Sequence, residues 1–325
     1  MFRCRRKRHA GGSQMRTRKR AIAVGAVAAA VLVGGVVWLI IWWMSLPRFE
    51  DAWVTADDEE IEVTLFHDTF FQPPRYVTCN HAADDDPALS RDGNRLAFAS
   101  DRNGNWDIFI LADDECFKFR DGGRTRITDL VDTRVRQLTS DPGTDRHPAW
   151  SPNGSEIAFD SDRSGSPQIF VMRKDGTGVR QLTHAPSPSS APSWSPDGRQ
   201  IVFQAERDGN SDLHTIAPDG SGEQSLTQSG ANETDPAWSK DGAEIAFVSD
   251  RDGDLNIYVI DVSTREERAI TRARTNYVDP AWKRNKIFFS RDRQGRWATY
   301  SIDRRAFNED GIRIEAGGRS LTSSR

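Results

Sequence analysis

One tetrapeptide recurs along this chain at a fixed interval. Pro148-Ala149-Trp150-Ser151 returns as Pro192-Ser193-Trp194-Ser195, Pro236-Ala237-Trp238-Ser239 and Pro280-Ala281-Trp282-Lys283, with successive prolines 44 residues apart. An earlier copy, Pro87-Ala88-Leu89-Ser90, lies 61 residues before Pro148, which places a 17-residue insertion near Cys116 to Val131. A second ladder keeps step with the first. Val77-Thr78, Leu138-Thr139, Leu182-Thr183, Leu226-Thr227 and Ile270-Thr271 each stand ten residues before the next proline, and Leu321-Thr322 closes the series. A module of this size cannot cover its own apolar face, so the copies must stack on one another.

Within each unit the turn signals fall close together. After Pro-Ala-Trp comes a tight turn, such as Ser151-Pro152-Asn153-Gly154 or Ser195-Pro196-Asp197-Gly198, in which proline presets one backbone angle and glycine supplies the positive one. A short apolar run follows (Ile157-Ala158-Phe159, Ile201-Val202-Phe203, Ile245-Ala246-Phe247), then a turn of the form Ser161-Asp162-Arg163-Ser164-Gly165. A third run, Ile169-Phe170-Val171-Met172 or Ile257-Tyr258-Val259-Ile260, leads through a polar turn to the Leu-Thr segment. Turn signals about 8–12 residues apart mark an all-β protein, and four strands in a repeating unit of about 40–45 residues mark a propeller blade. The expected fold is therefore an all-β propeller of about six four-stranded blades: five clear repeats plus a degenerate first blade, with five blades as the alternative. Asp51-Ala52-Trp53-Val54 echoes the repeat and Ile61-Glu62-Val63-Thr64 reads as a strand. The periodic Trp150, Trp194, Trp238 and Trp282 are expected to pack between blades.

These residues resemble the PD40 (WD40-like) repeats of TolB-type propellers, because Trp-Ser-Pro-Asp-Gly and Ser-Asp-Arg-x-Gly recur in order from about Arg75 to Arg325. The resemblance implies a propeller, often six-bladed, and implies little about ligand. The soluble periplasmic protein that gives the type its name carries an α/β domain before its propeller; here an apolar stretch and about 30 further residues occupy that place.

The N-terminus has a different character. Residues 1–20 carry nine Lys or Arg and no acid, residues 21–44 carry no charge, and the remainder holds 35 basic and all 48 acidic residues. The apolar run at about 1.5 Å per residue reaches about 36 Å, enough to cross a hydrocarbon core of about 30 Å. Trp38, Trp42 and Trp43 suit its boundary, and the basic tail is expected to stay cytoplasmic. A cleaved signal peptide is the competing reading, with a shorter apolar core. The expected layout is a cytoplasmic tail at 1–20, a transmembrane helix at 21–44, a linker with the degenerate blade at 45–78, and the propeller at 79–325. This puts the propeller on the periplasmic or extracellular side, with the lipid bilayer as partner of residues 21–44. Oligomeric state is left open. Cys79 and Cys116 are expected at opposite ends of a blade, too far apart for a disulfide.

Antiparallel order puts the residues before each proline and the Ser-Asp-Arg-x-Gly turns on one acidic face. Since the first strands lie nearest the axis, Asp86, His147, Asp235 and Asp279 are expected to ring the channel mouth and to form the binding site. A face of this kind suits a cationic segment or a metal ion, whereas the turn acids can equally serve their own turns. Two weaker alternatives are weighed. Calcium at Asp101-x-Asn103-x-Asn105-x-Asp107 or Asp250-x-Asp252-x-Asp254-x-Asn256 lacks the EF-hand glycine and glutamate positions. A transition metal on His81, His147 and His184, all expected in loops, lacks ligand spacing. No cofactor is expected. The sequence has no Gly-x-Ser-x-Gly, phosphate loop, dinucleotide fingerprint or His-Glu-x-x-His, and the acidic body argues against nucleic acid. The leading expectation is a non-enzymatic protein- or peptide-binding module. The alternatives are a metal-dependent lyase or hydrolase at the mouth, and a structural subunit of a larger membrane complex.

Overall fold

The computed structural model describes residues 52–57, 60–67, 70–71, 75–76, 82–93, 95–112, 135–272, 275–283, 285–292 and 297–304. The basic tail, the stretch 21–44, Cys79, His81, Cys116 and Leu321-Thr322 lie outside them. Among the described residues no helix is long and apolar enough to cross a membrane.

Among the described residues every regular element of any length is a strand. β1 (Ala52–Asp57), β2 (Glu60–His67), β3 (Phe70–Phe71) and β4 (Arg75–Tyr76) form one small sheet in which the other three pair with β2. Four meanders follow, each antiparallel and in sequence order. The first is β5 (Asp84–Leu89), β6 (Arg95–Ser100), β7 (Asp107–Ala112) and β8 (Val135–Gln137); the second is β9 (Asp145–Trp150), β10 (Glu156–Ser161), β11 (Gln168–Arg173) and β12 (Arg180–Gln181). The third is β13 (Ser189–Trp194), β14 (Ile201–Arg207), β15 (Asn210–Ile216) and β16 (Gln224–Ser225); the fourth is β17 (Glu233–Trp238), β18 (Glu244–Ser249), β19 (Asn256–Asp261) and β20 (Glu267–Ala269). A fifth sheet has three described strands, β21 (Tyr277–Lys283), β22 (Lys286–Asp292) and β23 (Trp297–Asp303).

The five sheets from β5 to β23 are the blades of a propeller. Their first strands β5, β9, β13, β17 and β21 stand next to one another in order. Pro87, Pro148, Pro192, Pro236 and Ala281 converge with Trp150, Trp194, Trp238 and Trp282 on a single cavity of 590 Å³ at the axis. The recurring tetrapeptides are therefore gathered round one centre. β1 lies beside β5.

The second strand of each blade is buried on both faces, which explains its unbroken apolar run. Phe98, Phe159, Phe203 and Phe247 are wholly enclosed, and burial of such a side chain is worth about 1.5–3 kcal/mol. Packing crosses the blade boundaries as expected. Trp150 joins Ala97, Ala99, Ile108 and Ile110 of the preceding blade to Ile157 and Phe159 of its own, and its indole donates to the Ala88 carbonyl at 3.1 Å. Trp194 does the same between Ala158, Ile169 and Val171 on one side and Ile201 and Phe203 on the other.

Candidate functional site

The residue before each conserved-register proline has an unusual backbone. Asp86, His147, Ala191, Asp235 and Asp279 have φ of 51°, 49°, 51°, 52° and 54°. Each coincides with a slip in register between the first strand and the second. One extra residue is accommodated there, with the proline that follows needing no ladder donor. A left-handed conformation costs a non-glycine residue roughly 1–2 kcal/mol. Its repetition in five blades shows that the bulge belongs to the architecture, and a bulge re-aims the side chain that it carries.

Two residues earlier the same strands hold a different set. Asp84, Asp145, Ser189, Glu233 and Tyr277 are buried. Arg102 reaches Asp84 at 2.9 Å, Arg163 reaches Asp145 at 2.8 Å and Arg251 reaches Glu233 at 2.6 Å. Each guanidinium also donates through Nε to a serine hydroxyl (Ser100, Ser161, Ser249). Each lies over two aromatic rings, Phe98 and Phe109, Phe159 and Phe170, or Phe247 and Tyr258. The turn acids Asp101, Asp162 and Asp250 accept the backbone N–H of Ala83, Thr144 and Asn232. The Ser-Asp-Arg turns are thus clamps that tie the start of a first strand to the turn beside it.

The four residues expected at the mouth occupy equivalent bulges on the inner strands, and the structure brings them together. Arg146 bonds Asp86 at 3.0 Å and Asp85 at 2.6 Å. The backbone N–H of His147 donates to Asp86, and its Nδ1 lies 2.7 Å from Asp160. His147 is part of strand β9, a correction to its expected place in a loop; the bulge mimics a turn in sequence because it interrupts the strand pattern just before proline. Its side chain keeps 40% of its surface open, yet protein surrounds it on most sides. That burial works against the imidazolium, and the hydrogen bond that it donates to Asp160, with the charges of Asp160 and Asp86, outweighs it, raising the pKa to about 9.

Among the described residues no cation forms an ion pair with Asp235 or Asp279 in the other half of the mouth. Burial raises the Asp235 carboxyl, with Asp86 adding to the shift and Thr234 and His147 opposing it. Asp279 is exposed as a residue, but its carboxyl sits in a concave site facing Asp235, Asp85 and Asp86. Burial first, and then those three charges, push it up to about 6. The mouth is therefore asymmetric: Asp85, Asp86 and Asp160 have basic partners, while Asp235 and Asp279 face one another across the remainder.

Sequence reasoning missed Asp160, Gln204 and Arg146. Asp160 stands where the other blades have Ala99, Gln204, Val248 and Ser290. It accepts from the bulge N–H of Ala191 at 3.0 Å as well as meeting His147, and Gln204 accepts from the bulge N–H of Asp235 at 3.0 Å. The departure of Asp160 from its register was a readable signal; its partners were not.

At the sites weighed for calcium the side chains are engaged with protein. Asn105 donates to the carbonyls of Asp141 and Gly143, Asp107 accepts from Thr139 and Gln137, and Asp252 accepts from the Tyr258 hydroxyl. Among the described residues no group of three or more His, Cys, Asp or Glu is placed to hold a metal ion. His184 lies exposed after β12.

Residues 124–190 and 180–255 match the family model described as TolB beta propeller domain. Over these residues the propeller is of the TolB type. A TolB homologue from Chlorobium luteolum is 33% identical over 111 residues, 26% of this chain and 26% of that protein. The Tol-Pal system protein TolB of Bordetella pertussis is 46% identical over 44 residues, 14% of this chain and 10% of that protein. The matches thus span about a quarter of one of these curated TolB relatives and a tenth of the other. The crystal structure of TolB from Acinetobacter baumannii has a TM-score of 0.62 at 18% identity, covering 85% of this chain and 67% of that one. An oligogalacturonate lyase in complex with manganese has a TM-score of 0.53 at 15% identity, covering 78% and 76%. At such identities the structural likeness concerns the fold.

Proposed function

We propose that this TolB-type propeller is a protein- or peptide-binding scaffold of the cell envelope, anchored by residues 21–44. In this reading it takes a cationic segment of its partner at the Asp235–Asp279 half of the channel mouth. The β1–β4 sheet serves as the sixth blade. The observation that carries the reading is the asymmetry of the mouth: two carboxyl groups are crowded with Asp85 and Asp86, and their pKa values are raised by burial and mutual repulsion. An entering ammonium or guanidinium group would relieve that repulsion, so its binding is favoured by charges already in place. The TolB relatives support a scaffold over an enzyme, and the one from Bordetella pertussis is by name a Tol-Pal system protein.

The test is affinity capture from native membranes with the full-length chain and with a D235A/D279A double variant, alongside binding of a short oligolysine peptide. The double variant should lose both the partner and the peptide, with a melting temperature equal to or above that of the parent. Retained capture would remove the mouth from the reading. Retained anchoring in a 21–44 deletion would remove the membrane span.

A further inference from the structure

We infer that Asp212 and Glu233, at the seam between the β13–β16 and β17–β20 blades, share a single proton that closes this seam at low pH and is withdrawn from it at high pH. Glu233 opens β17 and is completely enclosed. Its Oε1 accepts from the Ser229 hydroxyl and from Arg251, while its Oε2 is buried with no donor. Asp212 lies on β15. Its Oδ2 accepts from Asn210 at 3.2 Å and the Ser229 backbone N–H lies near the carboxyl, while Oδ1 is buried without a well-formed hydrogen bond. The two carboxyl groups are within hydrogen-bonding reach of each other. Two buried acceptors left empty face to face are unfavourable, and one proton between them fills both.

The corresponding seam between β7 and β9 shows what the alternative looks like. There Asp107 receives Thr139 and Gln137, and Asp145 receives Arg163, so every carboxylate has a donor. Ser225 stands in the place of Gln137 on β16, and its hydroxyl goes to the Thr227 carbonyl instead. The seams before and after the Asp212–Glu233 seam carry Gln168 with Ser189 and Asn256 with Tyr277, so they contain no acid pair. Among the described seams the Asp212–Glu233 seam alone needs a proton.

A hard cation fits the same place poorly. Calcium takes six to eight oxygens, whereas the nearby carbonyls of Ser229 and Ala231 already accept the Asn210 amide at 3.1 and 3.2 Å. The other charged groups are accounted for. Arg251, from the β18–β19 turn, is divided between Glu233 and Glu267 on β20. Further along β15, His214 faces Glu223 at 3.3 Å and is held low by burial and Arg207. Asp250 accepts from Asn232. Burial, followed by the charge and hydrogen bond of Glu233, raises Asp212 above its ordinary value. A group raised on folding contributes stability that is complete below its unfolded pKa and lost as pH rises through the folded one.

The experiment follows unfolding of the full-length chain in mild detergent from pH 4 to 9, with infrared spectroscopy of protonated carboxyl groups at neutral pH. Between the unfolded and the folded pKa the folded-to-unfolded ratio of the parent should drop by up to tenfold per pH unit relative to the D212N variant, and level off above the folded one. In that variant an amide donates permanently to Glu233. In a D235N/D279N parent, where the mouth acids contribute no signal, a protonated-carboxyl band should be present, retained on adding D107N and absent on adding D212N. E233Q also loses the Arg251 ion pair; it should be less stable at every pH and should lack the band. If D212N destabilises the fold instead, the band in the D235N/D279N parent, with and without D107N, decides. A D212N profile as steep as the parent's, or a D235N/D279N parent without the band, would overturn the shared proton. So would one calcium or magnesium ion bound per chain and released by D212N.

Discussion

Asp145 and Asp235 lie on the same end of the same propeller, on equivalent inner strands, and differ by one turn of the backbone. Asp145 precedes the bulge. It is enclosed, bonded to Arg163 and covered by Phe159 and Phe170 through that arginine. Asp235 is the bulge residue, in a left-handed conformation that brings it to the axis, where its neighbours are other acids. The same contrast separates Asp84 from Asp86 and Glu233 from its successor two residues on. A face rich in carboxylates thus contains two populations. One is consumed by the architecture and the other is carried on the bulges at the axis, and a two-residue step in sequence distinguishes them.

The largest effect expected from breaking this contrast comes from R163A. Removing one partner of a buried pair leaves Asp145 uncompensated, and breaking such pairs costs about 3–5 kcal/mol. Denaturant unfolding should show that loss, whereas a loss below about 1 kcal/mol would mean that the clamp is dispensable.

A smaller effect is expected at the compensated half of the mouth. His147 is raised to about 9, so its contribution should be full below its unfolded value of 6.5 and disappear as pH rises through about 9. Because much of the side chain is open to water, screening reduces the effect to about 1 kcal/mol. A proton-detected titration of the imidazole should place the midpoint near 9 in the parent and well below that in D160N.

At the uncompensated half stability falls with pH in the same sense, but there it is the neutral form that folding favours. Asp279 is raised to about 6, so the stability that its neutral form contributes is complete below about 4 and lost as pH rises through about 6. D279N should flatten the pH profile across that window and leave the chain about 1 kcal/mol or less more stable at pH 7, after screening. A melting temperature that drops in D279N would assign the residue to the architecture after all.

The smallest effect is expected at Ala191, the bulge that carries neither charge nor partner-binding side chain. A191G should relieve the left-handed strain and stabilise the fold by up to about 1 kcal/mol, set against the greater freedom of glycine in the unfolded chain. Unfolding of A191G at the parental midpoint would show that the bulge is unstrained.

Much of this was legible in the residues before any coordinate. Two ladders in step fixed the blade length, the apolar triplets located the fully enclosed second strands, and the order of turns put the first strand innermost. The tryptophans were readable as packing because their spacing equals the blade spacing. The candidate mouth was readable only as a position: the residue before proline on the innermost strand. Arg146 and Asp160 were not, since each acts by meeting a residue of another strand or another blade, and nothing in local sequence marks the distance that will separate them.

The sequence by itself determined that this chain builds radially stacked four-stranded units, because periodicity and turn chemistry are local properties that every copy repeats. Tertiary structure alone decided which acids are neutralised and which face one another. Electrostatic partnership depends on separation and burial, and both arise only when strands distant in the chain are brought round a common axis.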